Sequence, residues 1–237
     1  MIFSARTWAR RSAELLDDPA ADGGAVLASL GDIVRVNRLF GGLRAALEPL
    51  DEFFREATPA RALSLLDVGT GLGDIPVAAA QRARSRGLTL RLVGLERHPA
   101  AARAARSRHG LAMLLADAGR LPFRDGAVDF VLCSQLLHHL DGAAATRLVA
   151  ELDRVARRGV VIADLRRSAL AAAGIFLASF PLRFRPATRR DSVVSVFRGF
   201  TPRELEAVCR SAGVAARVRR HAGFRLTAAW RKNGGQP

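Results

Sequence analysis

The sequence predicts an α/β fold: a mostly parallel sheet with helices on both faces and an antiparallel last strand. Three observations predict it. Beyond about residue 60, short apolar runs alternate with helix-length segments, the pattern of strands joined by helical crossovers. The first of those runs ends at an acid and a glycine-rich turn. The last two are joined by a short turn near Ala222-Gly223, which makes a hairpin and puts one antiparallel strand into the sheet.

The elements follow in order. The first 60 residues read as helices at roughly 7–17, 24–40 and 42–57, punctuated by Gly23-Gly24 and Gly41-Gly42. They form an expected helical cap, 1–60, ahead of a core spanning 61–237. Strands are expected at 64–68, 90–95, 112–115, 128–134 and 160–163, with two more at about 214–219 and 224–230. Asp74 is placed to cap a helix that carries Pro76 in its first turn and stops at Gly87. Further helices run over 99–109, ending at Gly110, and over 143–157, ending at Gly159. Thr201-Pro202-Arg203-Glu204 is a capping box whose helix ends at Gly213. Residues 166–200 interrupt the rhythm: an apolar helix-like stretch, then Arg183, Arg185, Arg189 and Arg190. An insertion of that length is read as a substrate lid.

Composition narrows the function. A chain of 237 residues that is 49% hydrophobic fills one sizeable core. Cys133 and Cys209 have no spacing for a disulfide framework or a zinc site, so no metal is expected and a reducing cytoplasm is the expected compartment. The N-terminus lacks the apolar core of a signal peptide, and no stretch is long enough to span a bilayer. The net charge of +15 is almost all arginine, spread along the chain, because Lys232 is the single lysine. That fits solvated helix faces and coding bias better than a nucleic-acid footprint, and no RNA-binding module is visible.

The strongest local signal is Leu65-Leu66-Asp67-Val68-Gly69-Thr70-Gly71-Leu72-Gly73-Asp74. Glycines are needed where the backbone turns tightly and approaches a ligand without a Cβ in the way. Ligands of open α/β sheets bind at the carboxyl ends of strands, where the strand order reverses. A dinucleotide fingerprint calls for a further glycine beyond Gly73, to seat a pyrophosphate at the helix start; here the chain continues Asp74-Ile75-Pro76. Asp74 adds negative charge there, which repels a pyrophosphate and suits a cationic ligand. Glu96 ends the second strand, where an acid can accept ribose hydroxyls. Asp117 follows the third, within reach of an adenine amino group.

With those residues, the chain resembles the class I S-adenosylmethionine-dependent methyltransferases, in particular the group containing quinone C-methyltransferases and natural-product O-methyltransferases. The matching stretches begin with LLDVGTGLGD, VGLERHPAA and ADAGRLPFRDGAVDFVLCSQLLHHL. ELDRVARRGVVIADL and FRGFTPRELEAVCRSAGV follow, and the 166–200 insertion diverges. The resemblance implies a Rossmann-like seven-stranded mixed sheet in the order 3-2-1-4-5-7-6, with S-adenosylmethionine as methyl donor. By position it implies that Asp67, Gly69, Thr70, Gly71 and Gly73 hold the methionine moiety. Glu96 and Arg97 would serve the ribose, Asp117 and Ala118 the adenine, and Ser134 would line the site. The N-terminal helices look similar to that group's lid.

For the acceptor, His138 and His139 follow the fourth strand and Asp164 ends the fifth, so they are the candidate bases, with Asp164 orienting a histidine. The acceptor is expected to be a small molecule of hydrophobic character, methylated on oxygen or on carbon. Phe176, Phe180, Phe184, Phe197 and Phe200 are candidate pocket walls, and the basic run beside them suggests peripheral membrane contact. A nucleic-acid methyltransferase acting on amino groups carries Asn/Asp-Pro-Pro-Tyr/Phe after the fourth strand. That place reads Cys133-Ser134-Gln135-Leu136, in a chain without tyrosine.

Overall fold

The protein is described by a computed structural model over residues 5–57 and 62–232. Of the expected cap, residues 1–4 and 58–60 lie outside the described residues, as do 61 and 233–237 of the expected core. Helix α1 (Ala5–Arg11), a 3-10 turn (Leu15–Asp17), α2 (Gly23–Leu39) and α3 (Gly42–Arg55) lead into β1 (Leu63–Val68). Then follow α4 (Asp74–Arg84), β2 (Leu90–Glu96), α5 (Pro99–His109), β3 (Ala112–Leu115) and β4 (Val128–Ser134). After a second 3-10 turn (Leu137–His139) come α6 (Gly142–Val155), β5 (Ala156–Leu165), α7 (Ala169–Ala178) and α8 (Pro186–Arg198). The chain closes with α9 (Pro202–Ser211), β6 (Arg217–His221) and β7 (Arg225–Arg231).

The sheet has the expected order, β3-β2-β1-β4-β5-β7-β6. Strands β1 to β5 pair in parallel, and β7 runs antiparallel between β5 and β6. The chain builds outward from β1 toward β3, then returns to β4 on the other side. The order therefore reverses between β1 and β4, and a crevice opens there at the strands' carboxyl ends.

Strand pleating splits the core into two layers. Leu66 and Val68 of β1 face Leu148, Leu152 and Leu205 of α6 and α9, together with Val131, Cys133, Val160 and Ile162. Leu63 and Leu65 face the other way, with Phe130, Leu132 and Val161, against α3 and α4. There Phe53 stacks on Phe130 at 5.7 Å and Phe54 meets its edge. Each such buried Leu or Phe contributes roughly 1.5–3 kcal/mol. Helix α3 is thus a layer of the core, so packing changes near residue 40 and the roof over the sheet edge is made by residues 5–39.

Three local expectations differ from the structure. The helix expected to end at Gly159 stops at Val155, and β5 runs from Ala156 to Leu165. Gly159 lies inside the strand because a Cβ there would sit 2.7 Å from Cε2 of Phe53. Asp74 does not cap α4; Gly73 holds that position at φ +81°, and Asp74 stands in the first turn. The first helix ends at Arg11, and the chain beyond it crosses the sheet edge in extended and 3-10 form. The 166–200 insertion is a helical pair, α7 packed on α8, pinched at its base by a bridge between Arg166 and Phe200.

Candidate active site

The loop after β1 is shaped by its glycines. Gly69 (φ +77°) and Gly71 (φ +55°) adopt left-handed conformations, and Cβ atoms there would meet Leu136 at 3.2 Å and Leu30 at 3.3 Å. The amides of Gly69 and Thr70 donate to the Leu95 carbonyl at 2.9 and 3.1 Å. The Thr70 hydroxyl donates to the Asp67 carbonyl at 2.7 Å. Glu96 accepts from the Gly71 amide at 2.9 Å and from the Arg97 and His98 amides at 2.9 and 3.0 Å. The first two strand ends are thereby locked into one lip.

Above that lip is a cavity of about 760 Å³. Asp67, Gly69, Thr70, Gly71, Glu96, Arg97, Asp117, Ala118, Ser134, His138 and His139 all line it, so eleven of the expected positions converge. Gly73 does not line it. A Cβ at Gly73 would lie 2.5 Å from Leu111, so this glycine admits close packing under the loop. Arg97 lines the cavity, but its guanidinium donates to the carbonyls of Leu16 and Asp17 at 2.6 and 2.7 Å, which makes it a clasp for the roof. Asp117 is exposed and accepts from the Gly119 amide at 2.7 Å. Of the five phenylalanines, Phe184 lines the cavity; Phe200 belongs to the core, and Phe176 and Phe180 are exposed, edge to face at 5.4 Å. Phe197 is half-buried and is not part of the lining.

Negative charge dominates the floor. Burial pushes the Asp67 carboxyl well above its usual range, and repulsion from Asp74 and Glu96 adds to the shift. Among the described residues, Oδ1 of Asp67 and Oδ2 of Asp74 are buried with no hydrogen-bond partner. Such unmet acceptors are costly unless a ligand satisfies them.

The two histidines divide their roles. His138 is 2% exposed, and its Nδ1 lies 2.7 Å from Oδ1 of Asp164. Asp164 also accepts from the His138 amide at 3.1 Å and the Leu165 amide at 2.6 Å. Burial works against its ionisation, but the electrostatic attraction and hydrogen bond of the His138 ring outweigh that and hold its carboxyl below the usual range. Nε2 of His138 is buried without a hydrogen-bond partner among the described residues. His139 instead turns to the roof, with Nδ1 2.7 Å from Oδ1 of Asp17. The ligating atoms of Glu14, His138 and His139 come within 4.8 Å of one another, a set able to hold a metal ion. Glu14 is, however, already paired with Arg198 at 3.0 Å.

Residues 66–163 match the family described as a methyltransferase domain. That span runs from β1 to β5 and carries the glycine loop, Glu96, Asp117, Ser134 and both histidines. Over that span the chain carries a methyltransferase domain. No curated protein matches it by sequence. Among solved structures it is similar to an S-adenosylmethionine-dependent methyltransferase from Aquifex aeolicus, at 17% identity and a TM-score of 0.55, covering 84% of this chain and 97% of that one. Human N-acetylserotonin methyltransferase in complex with S-adenosylmethionine gives 14% identity and a TM-score of 0.63, over 90% of this chain and 57% of that one. Magnesium protoporphyrin IX methyltransferase from Synechocystis PCC 6803, with bound S-adenosylhomocysteine, gives 12%, 0.55, 81% and 84%. These likenesses establish the fold.

The methyltransferase's floor fits its donor, which carries a sulfonium, an ammonium and no phosphate. The orphaned oxygens of Asp67 and Asp74 are suited to positive charge, and Glu96 keeps lone pairs for hydroxyl groups. The roof over it is sewn down by residues that sequence reading missed. Arg198, buried in α8, donates to the carbonyl of Ala9 at 3.1 Å, pairs with Asp17 at 2.9 Å, and also reaches the Ser12 carbonyl and Glu14. Ser195 donates to Glu14 at 2.6 Å, and Asp191 accepts from the Leu15 amide at 2.9 Å. These partners lie more than 170 positions apart in sequence, so no local pattern announces them. Replacing Arg198 with Met leaves the buried Glu14 and the half-buried Asp17 without their cation. The expected loss is about 3–5 kcal/mol, read as a lowered urea midpoint; an unchanged midpoint would show that the roof is held by other contacts.

Proposed function

We propose that this methyltransferase acts on a hydroxyl group of a small, largely apolar acceptor, with His138 as general base. The observation that carries this reading is the unpartnered Nε2 of a buried histidine on the cavity wall. An ionised Asp164 only accepts hydrogen bonds, so it selects the tautomer with the proton on Nδ1 and leaves Nε2 as the acceptor. The donor, when bound, supplies an electrophilic methyl on a good leaving group. The chain's residues would align the acceptor oxygen, exclude water and take its proton onto Nε2 as the methyl group is transferred. Apolar walls from Leu30, Ile33 and Phe40 on one side and Ala171, Ile175 and Phe184 on the other favour an aromatic, polyketide or quinone-like acceptor. Cys133 and Cys209, both buried and unpaired, are in keeping with a reducing compartment.

To test the base, the protein is incubated with methyl-labelled S-adenosylmethionine and host extract, and the labelled product is followed by mass spectrometry. His138→Gln and Asp164→Asn should each slow turnover by about 10²–10⁴-fold, while S-adenosylhomocysteine binding stays within a few-fold. Turnover unchanged in both variants would leave alignment as the whole mechanism.

One observation supports a membrane surface as the source of the acceptor. Of the seven large hydrophobic side chains that are exposed among the described residues, four sit on α7 and the turn after it: Leu170, Phe176, Leu177 and Phe180. No charged residue occurs from 169 to 182, whereas 166–200 holds seven arginines and a single acid, Asp191. Arg189 covers the Phe180 ring at 4.0 Å, and Arg35 donates to the Leu182 carbonyl at 3.1 Å, so cations rim the patch. A second copy of the chain would bring like charge against this face; an anionic bilayer complements it. Among the described residues no helix is long and apolar enough to cross a membrane, so the contact is superficial. The protein should sediment with phosphatidylglycerol vesicles at low salt and far less at high salt or with phosphatidylcholine. Leu177→Asp with Phe180→Asp should abolish sedimentation and spare S-adenosylhomocysteine binding. Failure of the unaltered protein to sediment ends this reading.

A further inference from the structure

Two arginines are deeply buried in the cavity region, and they are treated in opposite ways. Arg198 is matched by two carboxylates and two carbonyls. Arg225, at the start of β7, is 4% exposed and lines the same cavity. Among the described residues it makes one hydrogen bond, from Nη1 to Oε1 of Gln135 at 2.9 Å. Its Nε has no partner, and it forms no ion pair with a carboxylate among the described residues. A guanidinium has five N–H donors, and four of them remain for something else. Burial lowers its pKa to about 10, with the nearby charge of Asp164 working the other way, so it is still a cation at neutral pH.

Its single partner is itself held in place. Gln135 sits at φ +53°, a left-handed conformation that a non-glycine residue adopts under constraint. Its amide nitrogen donates to Oδ1 of Asn37 at 2.6 Å. That fixes the amide so that its oxygen faces Arg225. Asn37, Gln135 and Arg225 all line the cavity. The relay holds the guanidinium in one orientation with unused donors. Asp164 is near enough to favour the charged form but makes no ion pair with Arg225, and a buried cation without a directly paired anion is destabilising, so a ligand that supplies one fits this arrangement.

We infer that Arg225 is an anion-recognition residue of the cavity, binding a carboxylate through its planar fork. This rests on the cavity being the methyl-donor site. A carboxylate reaches it from one of two sources: the amino-acid end of the donor, or an acidic group on the acceptor.

Calorimetry separates them. S-adenosylhomocysteine carries the amino-acid carboxylate; 5′-methylthioadenosine keeps the nucleoside and lacks it. If the donor supplies the carboxylate, Arg225→Gln weakens S-adenosylhomocysteine binding by about 10–100-fold and leaves 5′-methylthioadenosine binding unchanged. If the acceptor supplies it, both nucleoside affinities are unchanged. The S-adenosylhomocysteine-loaded protein then binds benzoate more tightly than its neutral isostere benzamide, and Arg225→Gln removes that preference. Arg225→Lys should restore part of the effect in either arm, since it keeps the charge and loses the fork. The inference is overturned if Arg225→Gln leaves every affinity unchanged with no preference for benzoate. It is equally overturned if 5′-methylthioadenosine weakens as much as S-adenosylhomocysteine, which marks a structural role. Should 5′-methylthioadenosine and S-adenosylhomocysteine both fail to bind the unaltered protein, the donor-site reading itself falls.

Discussion

Negative charge gathered at one edge of a parallel sheet is the constraint on which this molecule turns. Parallel strands all end at the same lip, so whatever acids close them are forced together. Asp67, Glu96 and Asp164 end β1, β2 and β5, or nearly so, and Asp74 joins them at the start of α4. The repulsion is visible in Asp67, whose carboxyl is driven up by burial and then by its acidic neighbours. An arrangement of that kind is stable only if each charge finds an answer.

The answers differ along the lip and divide the cavity by function. Glu96 is answered by three backbone amides, which makes it a scaffold for the glycine loop. Asp164 is answered by a histidine ring and two amides, which orients His138. Glu14 and Asp17, brought in from the roof, are answered by Arg198. Asp67 and Asp74 each keep one buried oxygen that no hydrogen bond answers among the described residues. On the proposed reading, those two are where a cationic donor gains most, and the ligand-binding region is set by what the fold leaves unpaired. The same reasoning applied to positive charge isolates Arg225.

Much of this was legible in the sequence, for physical reasons. Apolar runs, a GxGxG turn, a capping box and a two-strand ending are local patterns, and local patterns dictate strands, turns and helix starts. They gave the sheet order through resemblance and placed the acids at strand ends by position. Gly159 was misread because its reason is the ring of Phe53, more than 100 residues earlier. Gly73 was read as a ligand contact, and the structure adds a packing reason for it, since a Cβ there would lie 2.5 Å from Leu111. The stripe of phenylalanines looked like one pocket wall, yet its members scatter to cavity, core and solvent. Arg225 did carry a signal: a charge opening a run, Leu226 to Trp230, that is otherwise mostly buried. The Arg198 network carried none, since its partners meet only when the roof folds over the lip.

The central claim is that this lip selects a phosphate-free cation. Calorimetric titration of the unaltered protein with S-adenosylmethionine, NAD and ADP tests it most directly. One site for S-adenosylmethionine, with no heat from the two phosphate-bearing nucleotides, is the predicted result. Binding of NAD or ADP as tight as that of S-adenosylmethionine would contradict it.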